Sequence, residues 1–491
     1  MSLDTEGFSE PIQGGKIVIT ITPEHRLLKL ARHLSWEDML NAILPDLQRT
    51  ERKRWWVGRP LRVRIHLGIY ILQQMLNLTD RGAEQQLQDN AAFRLFCGNG
   101  LMKHWHVPDH TKIEAFRSRL TAETQRKLAN LMSQQAVHLG YANPAHLDMD
   151  STIQEANIAY PAKPNLLLKV AALAKKVGKA LNQRVYQGEK RFNVALGHLR
   201  QIALYYFQVK RKNANNIVLK PILQRLWRET YENILPILQH SHQLTQRLKA
   251  GKDAYLRRTV EKRQWRGANL IHNLHTQLFE KNPPTLLHPF SLHAQEITCF
   301  NKGKLNQKLQ FGRAYQLGRI EGNFLFVTEC ASLHMPDAQS LPDIIDVHEQ
   351  LFGKNILEST TTDKGYYAYG NEWLLKQKGV KAIYLPRPRR TLFAPPEKTP
   401  WSIQQVLHNC RAGIEPLIGH AKHGGQLRKS RMKSDETTKS AGYAAILGFN
   451  LRQLTRYLTG EVPPKSEKMD KIAANDGEIE LNKIVLTNRV G

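Results

Sequence analysis

Sulfur cross-links are almost out of reach for this chain. Its four cysteines, Cys97, Cys299, Cys330 and Cys410, are scattered over 491 residues, and no two form a C-x2-C pair. This speaks against a cysteine-built zinc site and against a disulfide framework, and it fits a reducing compartment. Long apolar runs are missing too. No stretch of 18 apolar residues occurs, so no membrane-spanning helix is expected. The opening MSLDTEGFSEPIQGG is acidic and has no apolar centre, so it does not read as a signal peptide. No internal repeat is evident. The scarcity with the largest consequence is that of negative charge: 43 acidic residues stand against 71 Lys and Arg, a formal net charge of +28. A field of that sign favours polyanions, because each Lys or Arg placed on a phosphate releases condensed counterions. Nucleic acid is therefore the first expectation for a partner. An anionic membrane surface and a merely solubilising charge are the alternatives.

What is present in ordinary measure is 41% hydrophobic and 23% charged residues, as in globular proteins. The length admits roughly two to four domains. Residues 1–22 read as a flexible tail with one strand-like run, Lys16 to Thr22. Residues 23–142 read as helical. Arg62 to Leu78 carries apolar residues at 3–4 spacing, Thr79-Asp80 opens a new helix, and Thr111 fits the N-cap of another. Short helices in a basic segment suit a DNA-binding domain, and equally a helical bundle without DNA contact.

Residues 145–150 (AHLDMD) alternate as a short strand does, with Asp148 and Asp150 on one face. Between 165 and 281 there are 23 Lys or Arg and 6 acidic residues on long helical patterns, with Pro221 near the start of one and Pro236 expected to kink it. We take 165–285 as a basic helical insertion that lies along DNA or serves as a solvated spacer. Strand-like runs follow at Phe290 to Phe300, Lys308 to Ile320 and Asn323 to Cys330, with a turn at Glu321-Gly322-Asn323. Then come a helix (Asp343 to Phe352), a strand ending at Asp363, a helix (Gly370 to Lys378), a strand (Lys381 to Pro386), a basic Pro-rich loop, a helical segment 402–459 and a tail, 460–491. The expected class is α/β of the mixed α+β kind, with strands in 143–164 and 286–459 forming a mixed sheet.

Phosphoryl transfer assisted by two metal ions needs carboxylates that converge on one spot. Asp150 and Asp363 each stand at an expected strand end, where an Asp serves equally well as a cap. His408, Arg411, Glu415 and Lys422, at offsets 0, 3, 7 and 14, fall within about 60° on a single helix. That face sets a carboxylate among cations. An ordinary solvated face with an Arg411–Glu415 ion pair is the alternative. Pro416, Gly413 and Gly419 complicate a straight helix.

These residues resemble the DDE transposases of bacterial insertion sequences, in the superfamily with a Y-x2-R-x3-E-x6-K signature. Arg411, Glu415 and Lys422 match R-x3-E-x6-K, and His408 stands where the family has Tyr. LDMDSTIQEANIAYP resembles the first-Asp motif and TTDKGYYAYGNEWLLKQKGV the second. The run from GRPLRVRIHLGIYILQQ through PDHTKIEAFRSRL resembles the helical domain that precedes the core, so the resemblance spans most of residues 55–460. It implies an RNase H-like core with a five-stranded mixed sheet. It also implies a catalytic triad of Asp150, Asp363 and Glu415 holding two Mg²⁺ (or Mn²⁺), and double-stranded DNA as partner. Arg411 and Lys422 would contact phosphate, with His408, Lys364, Arg387, Arg389 and Arg390 as further DNA contacts. A homodimer is expected, since two DNA ends must be joined, and so is a location in the bacterial cytoplasm at the nucleoid. A nuclease or resolvase that cuts without joining is the first alternative, and a non-catalytic transposase-derived DNA-binding protein the second. Asp148 competes with Asp150 for the first position.

Overall fold

Apolar periodicity of 3–4 in the first third and of 2 near residues 145 and 310 translates directly into helices and strands. The computed structural model describes residues 8–12, 15–19, 21–48, 60–102, 106–159, 161–183, 196–212, 215–248, 251, 253–280, 290–294, 296–304, 307–331, 335–387 and 401–462. A hairpin of β1 (Phe8–Ile12) and β2 (Gly15–Ile19) occupies the segment expected as a tail. Helices α1 (Arg26–His33), α2 (Trp36–Gln48), α3 (Pro60–Leu76), α4 (Asp80–Asp89), α5 (Ala91–Met102), α6 (His110–Arg117) and α7 (Ala122–His138) follow. After β3 (Asn143–Glu155) come α8 (Lys163–Asn182), α9 (Leu196–Arg211), α10 (Asn216–Thr245) and α11 (Ala254–Phe279). Next are β4 (Thr298–Lys304), β5 (Gln307–Glu321), β6 (Phe324–Val327), α12 (Asp337–Phe352), β7 (Ser359–Thr361), α13 (Tyr369–Gln377) and β8 (Ala382–Tyr384). The last helices are α14 (Trp401–Arg411), α15 (Ile414–His423) and α16 (Asp435–Leu458).

The caps follow local chemistry. Thr79 caps α4 by accepting from the Gly82 N–H. At α6 the cap is Asp109 and not Thr111, because the Asp109 carboxylate accepts from the amides of both Thr111 and Lys112. Gly322 and Asn323, with φ of 93° and 65°, lie in the three-residue turn Glu321-Gly322-Asn323 that joins the last paired residues, Ile320 of β5 and Phe324 of β6. Strand β3 does not stop at Asp150. It runs on to Glu155, whose N–H donates to the Arg428 carbonyl, so Asp150 is an interior position of the strand. α10 continues through Pro221 and Pro236 as one helix of 30 residues.

The described parts of Met1–Glu155, Arg313–Met432 and Glu436–Gly491 form one compact unit, and those of Ala156–Gly312 with Lys433–Asp435 a second. Six strands hydrogen-bond in the order β4-β5-β3-β7-β8, with β6 also on β5. β7 is parallel to β3 and to β8, while β4 and β6 are antiparallel to β5. This mixed sheet gives the expected mixed α+β class, with one strand more than five. The extra pairing arises because β5 is 15 residues long and outlasts β6.

In the first unit the helical N-terminal segment shares a single core with the sheet: Leu30, Tyr70, Phe96 and Leu128 belong to the same cluster as Leu147, Leu317, Phe326 and Ile446. Strand β6 would leave its outer backbone groups bare. Two buried asparagines satisfy them. The Asn130 amide accepts from Val327 N–H (2.9 Å) and donates to its carbonyl (3.0 Å). From α16, Asn450 accepts from Leu325 N–H (3.0 Å) and donates to Leu325 O (2.7 Å). The second unit is built on α8 to α11 around Leu167, Val170, Leu226, Leu270 and Leu274. Lys169, Lys175, Lys176 and Lys179 are exposed on α8, opposite its buried Leu167, Val170 and Ala174. Among the described residues no helix is long and apolar enough to cross a membrane.

An Asn450→Leu substitution removes both side-chain partners of Leu325 at a fully buried position. It is expected to cost about 2–4 kcal/mol, seen as a lower urea midpoint together with faster hydrogen exchange at the Leu325 amide. An unchanged midpoint and exchange rate would contradict this account of the sheet edge.

Candidate active site

Three residues at alternate positions of β3 share one face: His146, Asp148 and Asp150. Their surroundings differ sharply. Asp148 is completely buried and fully partnered. Its Oδ1 accepts from His146 Nε2 (2.9 Å) and from the Thr361 hydroxyl of β7, and its Oδ2 accepts from Arg319 Nη1 of β5 (2.8 Å). Burial alone would raise its carboxyl, but His146, Arg319 and Thr361 outweigh that and hold it below the ordinary range. Asp148 is thus a structural anion.

Asp150 has no such partners. Its Oδ1 accepts from the Ser151 N–H at 2.7 Å. Its carboxyl is pushed up from 3.8 to about 6, first by burial and then by the negative charges of Asp363 and Glu415, against the pull of the Ser151 amide and Arg411. One carboxylate therefore feels all four of these groups, which come from the strand, the chain after β7 and the region of α14 and α15. Asp363 follows β7 and caps the short turn Lys364–Tyr366, its Oδ1 accepting from the Gly365 N–H at 2.7 Å. Glu415 lies in the first turn of α15 and is 63% exposed in its side chain. It meets Arg411 at 3.4 Å.

The single helix on which His408, Arg411, Glu415 and Lys422 would share a face is not there. α14 ends at Arg411 and α15 begins at Ile414. The break has a cause in the sheet below: Arg319 Nη1 donates to the Cys410 carbonyl at 3.1 Å, and a Cβ on Gly413 would stand 2.2 Å from the same nitrogen. Only glycine lets the chain pass that close. Pro416 then falls in the first turn of α15, where its missing N–H costs nothing. The Arg411–Glu415 pair nevertheless forms across the break. His408 is engaged by β8, with the Tyr384 hydroxyl 2.8 Å from its Nδ1. Lys422 is half-buried in the last turn of α15, and Lys364 is exposed beside Asp363. Arg387 pairs with Glu372 at 3.5 Å and lies over the rings of Tyr367 and Tyr369. Arg389 and Arg390 fall outside the described residues.

Sequence reasoning did not single out Asp337, Gln316 or Tyr366. Gln316 Nε2 donates to Asp337 Oδ1 (2.8 Å), and the fully buried Tyr366 hydroxyl donates to Gln316 Oε1. Burial raises the Tyr366 phenol, and Asp337, Asp150 and Asp363 add to it. The available signal was the acid of the Pro336-Asp337 pair at a helix start, which reads by itself as a first-turn charge.

Among the described residues no three His, Cys, Asp or Glu side chains are close enough to share one metal ion. The donor chemistry does suit one. Asp150, Asp363 and Glu415 offer only hard oxygen, and the repulsion felt at Asp150 is what a divalent cation would relieve.

The class defined so far is a mixed α+β chain with a carboxylate-lined site on a strongly basic background. Residues 17–119 match the family model described as Transposase domain (DUF772). No curated protein and no solved structure matches. The match ends before β3, so it is independent of the carboxylates. It supports a transposase family, which implies DNA as partner and a DNA-cleaving enzyme in general.

The raised Asp150 carboxyl has a cost for the fold. Between pH 3.8 and about 6 the folded state holds a proton that the unfolded chain has lost, so stability falls as pH rises through that window and the full cost is present above it. Asp150→Asn removes the charge and keeps an acceptor for Ser151. It is expected to stabilise the protein by about 1–3 kcal/mol at neutral pH and to give no gain near pH 3.5, measured by urea melts at both. An equal gain at both would mean that the charge is not the cause.

Proposed function

We propose that this chain is a DDE-type transposase that cuts an insertion-sequence end and joins the freed 3′-OH to target DNA. The observation that carries this reading is the convergence on Asp150 of the fields of Asp363 and Glu415, two carboxylates distant in sequence, with Arg411 beside them. The sheet order supports it: a central β3, an antiparallel β5–β6 hairpin on one side and parallel β7 and β8 on the other are what an RNase H-like core requires. So do the +28 charge and the transposase-domain match.

In this reading Asp150, Asp363 and Glu415 hold Mg²⁺ or Mn²⁺, two ions per site. Bound there, the ions would supply Lewis-acid activation of the attacking oxygen and charge neutralisation at the leaving one. The chain does the rest by placement. Asp148 fixes the register of β3 against β5 and β7, and the face it anchors carries Asp150 into the site. Arg411 balances the charge of Glu415, and Arg411, Lys364 and Lys422 would contact DNA phosphates. In the first step a water oxygen bonds to phosphorus as the P–O3′ bond breaks, leaving a 3′-OH on the element. In the second that hydroxyl attacks a target phosphodiester, whose own 3′-oxygen leaves with a proton. No covalent enzyme intermediate is needed. The exposed lysines of α8 offer a phosphate-tracking face, and joining two ends calls for a homodimer.

The test is incubation of the full chain with DNA carrying the element's ends and Mg²⁺. Strand-transfer products are expected. Asp363→Asn and Glu415→Gln are expected to lower both cleavage and joining by about 10³-fold or more while retaining DNA binding. Cleavage with no joined product would favour a nuclease, and full activity in either variant would remove these carboxylates from the mechanism.

A further inference from the structure

Helix α11 carries one acid, Glu261, against five Arg and Lys, and Arg257 Nε holds that acid at 2.9 Å. One side of the helix, with Val260, Gln264, Gly267, Leu270 and Ile271, is buried in the second unit. The opposite side is of another kind. Tyr255, Arg258, Lys262 and Trp265 follow one another at spacings of 3, 4 and 3, which puts them within about 80° on a helix. All four are exposed, Tyr255 at 85% and Trp265 at 62%. Among the described residues none of these side chains has a hydrogen bond, an ion pair or a ring contact. A single exposed apolar residue is ordinary on a protein surface. Two aromatic rings that bracket two unpaired cations in one line are not, because packing does not use them and a charged side chain would serve solubility better at either ring.

The chemistry of the line selects its occupant. A second copy laid along it would set Arg258 and Lys262 against their own kind. The cations call for an anion and the rings for flat apolar faces. An unpaired nucleic-acid strand offers both at regular intervals, phosphates for the one and bases for the other, whereas a duplex keeps its base faces stacked inside. Tyr255 and Trp265 stand about 15 Å apart along the axis, so a strand has to run along the helix to meet both. We propose that this line on α11 binds single-stranded DNA, with Tyr255 and Trp265 each stacked on an unpaired base and Arg258 and Lys262 on the phosphates between. The site goes beyond the functional reading above, which calls for duplex ends and target, and it does not rest on the carboxylates.

Fluorescence anisotropy of a labelled oligothymidylate, and of a duplex of the same length, titrated with the full chain tests this. Trp265→Ala and Tyr255→Ala are each expected to weaken the single strand by about tenfold and the duplex by less than about twofold. Trp265→Phe keeps a ring and should recover most of the loss. Arg258→Gln with Lys262→Gln should flatten the salt dependence of single-strand binding by about 1.4 in log–log slope. Circular dichroism melts should be unchanged, since none of the four side chains is in the core. Wild-type affinity for the single strand in both alanine variants would overturn the site, as would an equal loss on both DNAs. Loss of binding to phosphatidylserine vesicles in Trp265→Ala with DNA binding intact would assign the line to a membrane surface. A changed sedimentation coefficient with DNA binding intact would assign it to a second copy, and either result overturns the proposal. Each of these outcomes leaves the carboxylate reading standing, because none of the variants touches it.

Discussion

The ion pair between Asp148 and Arg319 is the constraint on which the rest of the site depends. Two charges with almost no solvent exposure would each cost several kcal/mol if left alone. Here the oxygens of Asp148 are met by His146, Thr361 and Arg319, so the pair is tolerable only when β3, β5 and β7 are in one register. A one-residue slip of β3 would set Asp148 in the apolar layer that holds Leu147 and Met149 and put those two against the buried Arg319 charge instead. Apolar side chains in place of the whole pair would fill the space without a desolvation cost, but they would not report register in this way. The same guanidinium reaches the Cys410 carbonyl and requires Gly413, so it also sets where α14 ends and α15 starts. Sheet register and the position of Glu415 are therefore tied to one side chain.

Along β3 the face that carries Asp148 carries Asp150 two residues later. The first carboxylate is satisfied, while the second is raised first by burial and then by the charges of Asp363 and Glu415. This contrast marks functional sites in general, since proteins accept local destabilisation where a ligand will relieve it. The distinction between the two aspartates was not available from AHLDMD, where both have the same side-chain phase. It depends on Arg319, which lies 171 residues away in sequence from Asp148.

Much of the fold was readable because it is local. The helices from α3 to α7 follow apolar spacing, Thr79 sits at its cap, and Glu321-Gly322-Asn323 makes the tight turn between β5 and β6. What could not be read is set by distant partners. The extension of β3 beyond Asp150 is stabilised by Arg428 and Gln426, whereas Ser151-Thr152 look locally like an exit from the sheet. The interruption between α14 and α15 needs Arg319 beneath Gly413. The shared core of the N-terminal helices with the sheet is specified by buried amides, Asn130 and Asn450, that pattern reading treats as surface residues. Asp337 escaped for the same reason: its alignment comes from Gln316 and Tyr366, each on another element.

Rigid and loose parts of the site are divided by burial. Asp148 and Arg319 lie inside, where breaking one partner leaves a bare charge and costs about 3–5 kcal/mol. Glu415 lies outside, paired to Arg411 at 3.4 Å with most of its side chain in water, and such a pair is worth under about 1 kcal/mol. Glu415 can leave Arg411 for another cation at almost no cost, while β3 and its aspartates stay fixed. In the proposed reading, the fixed aspartate of β3 would hold the position and Glu415, on the helix beyond the break, would supply the adjustment.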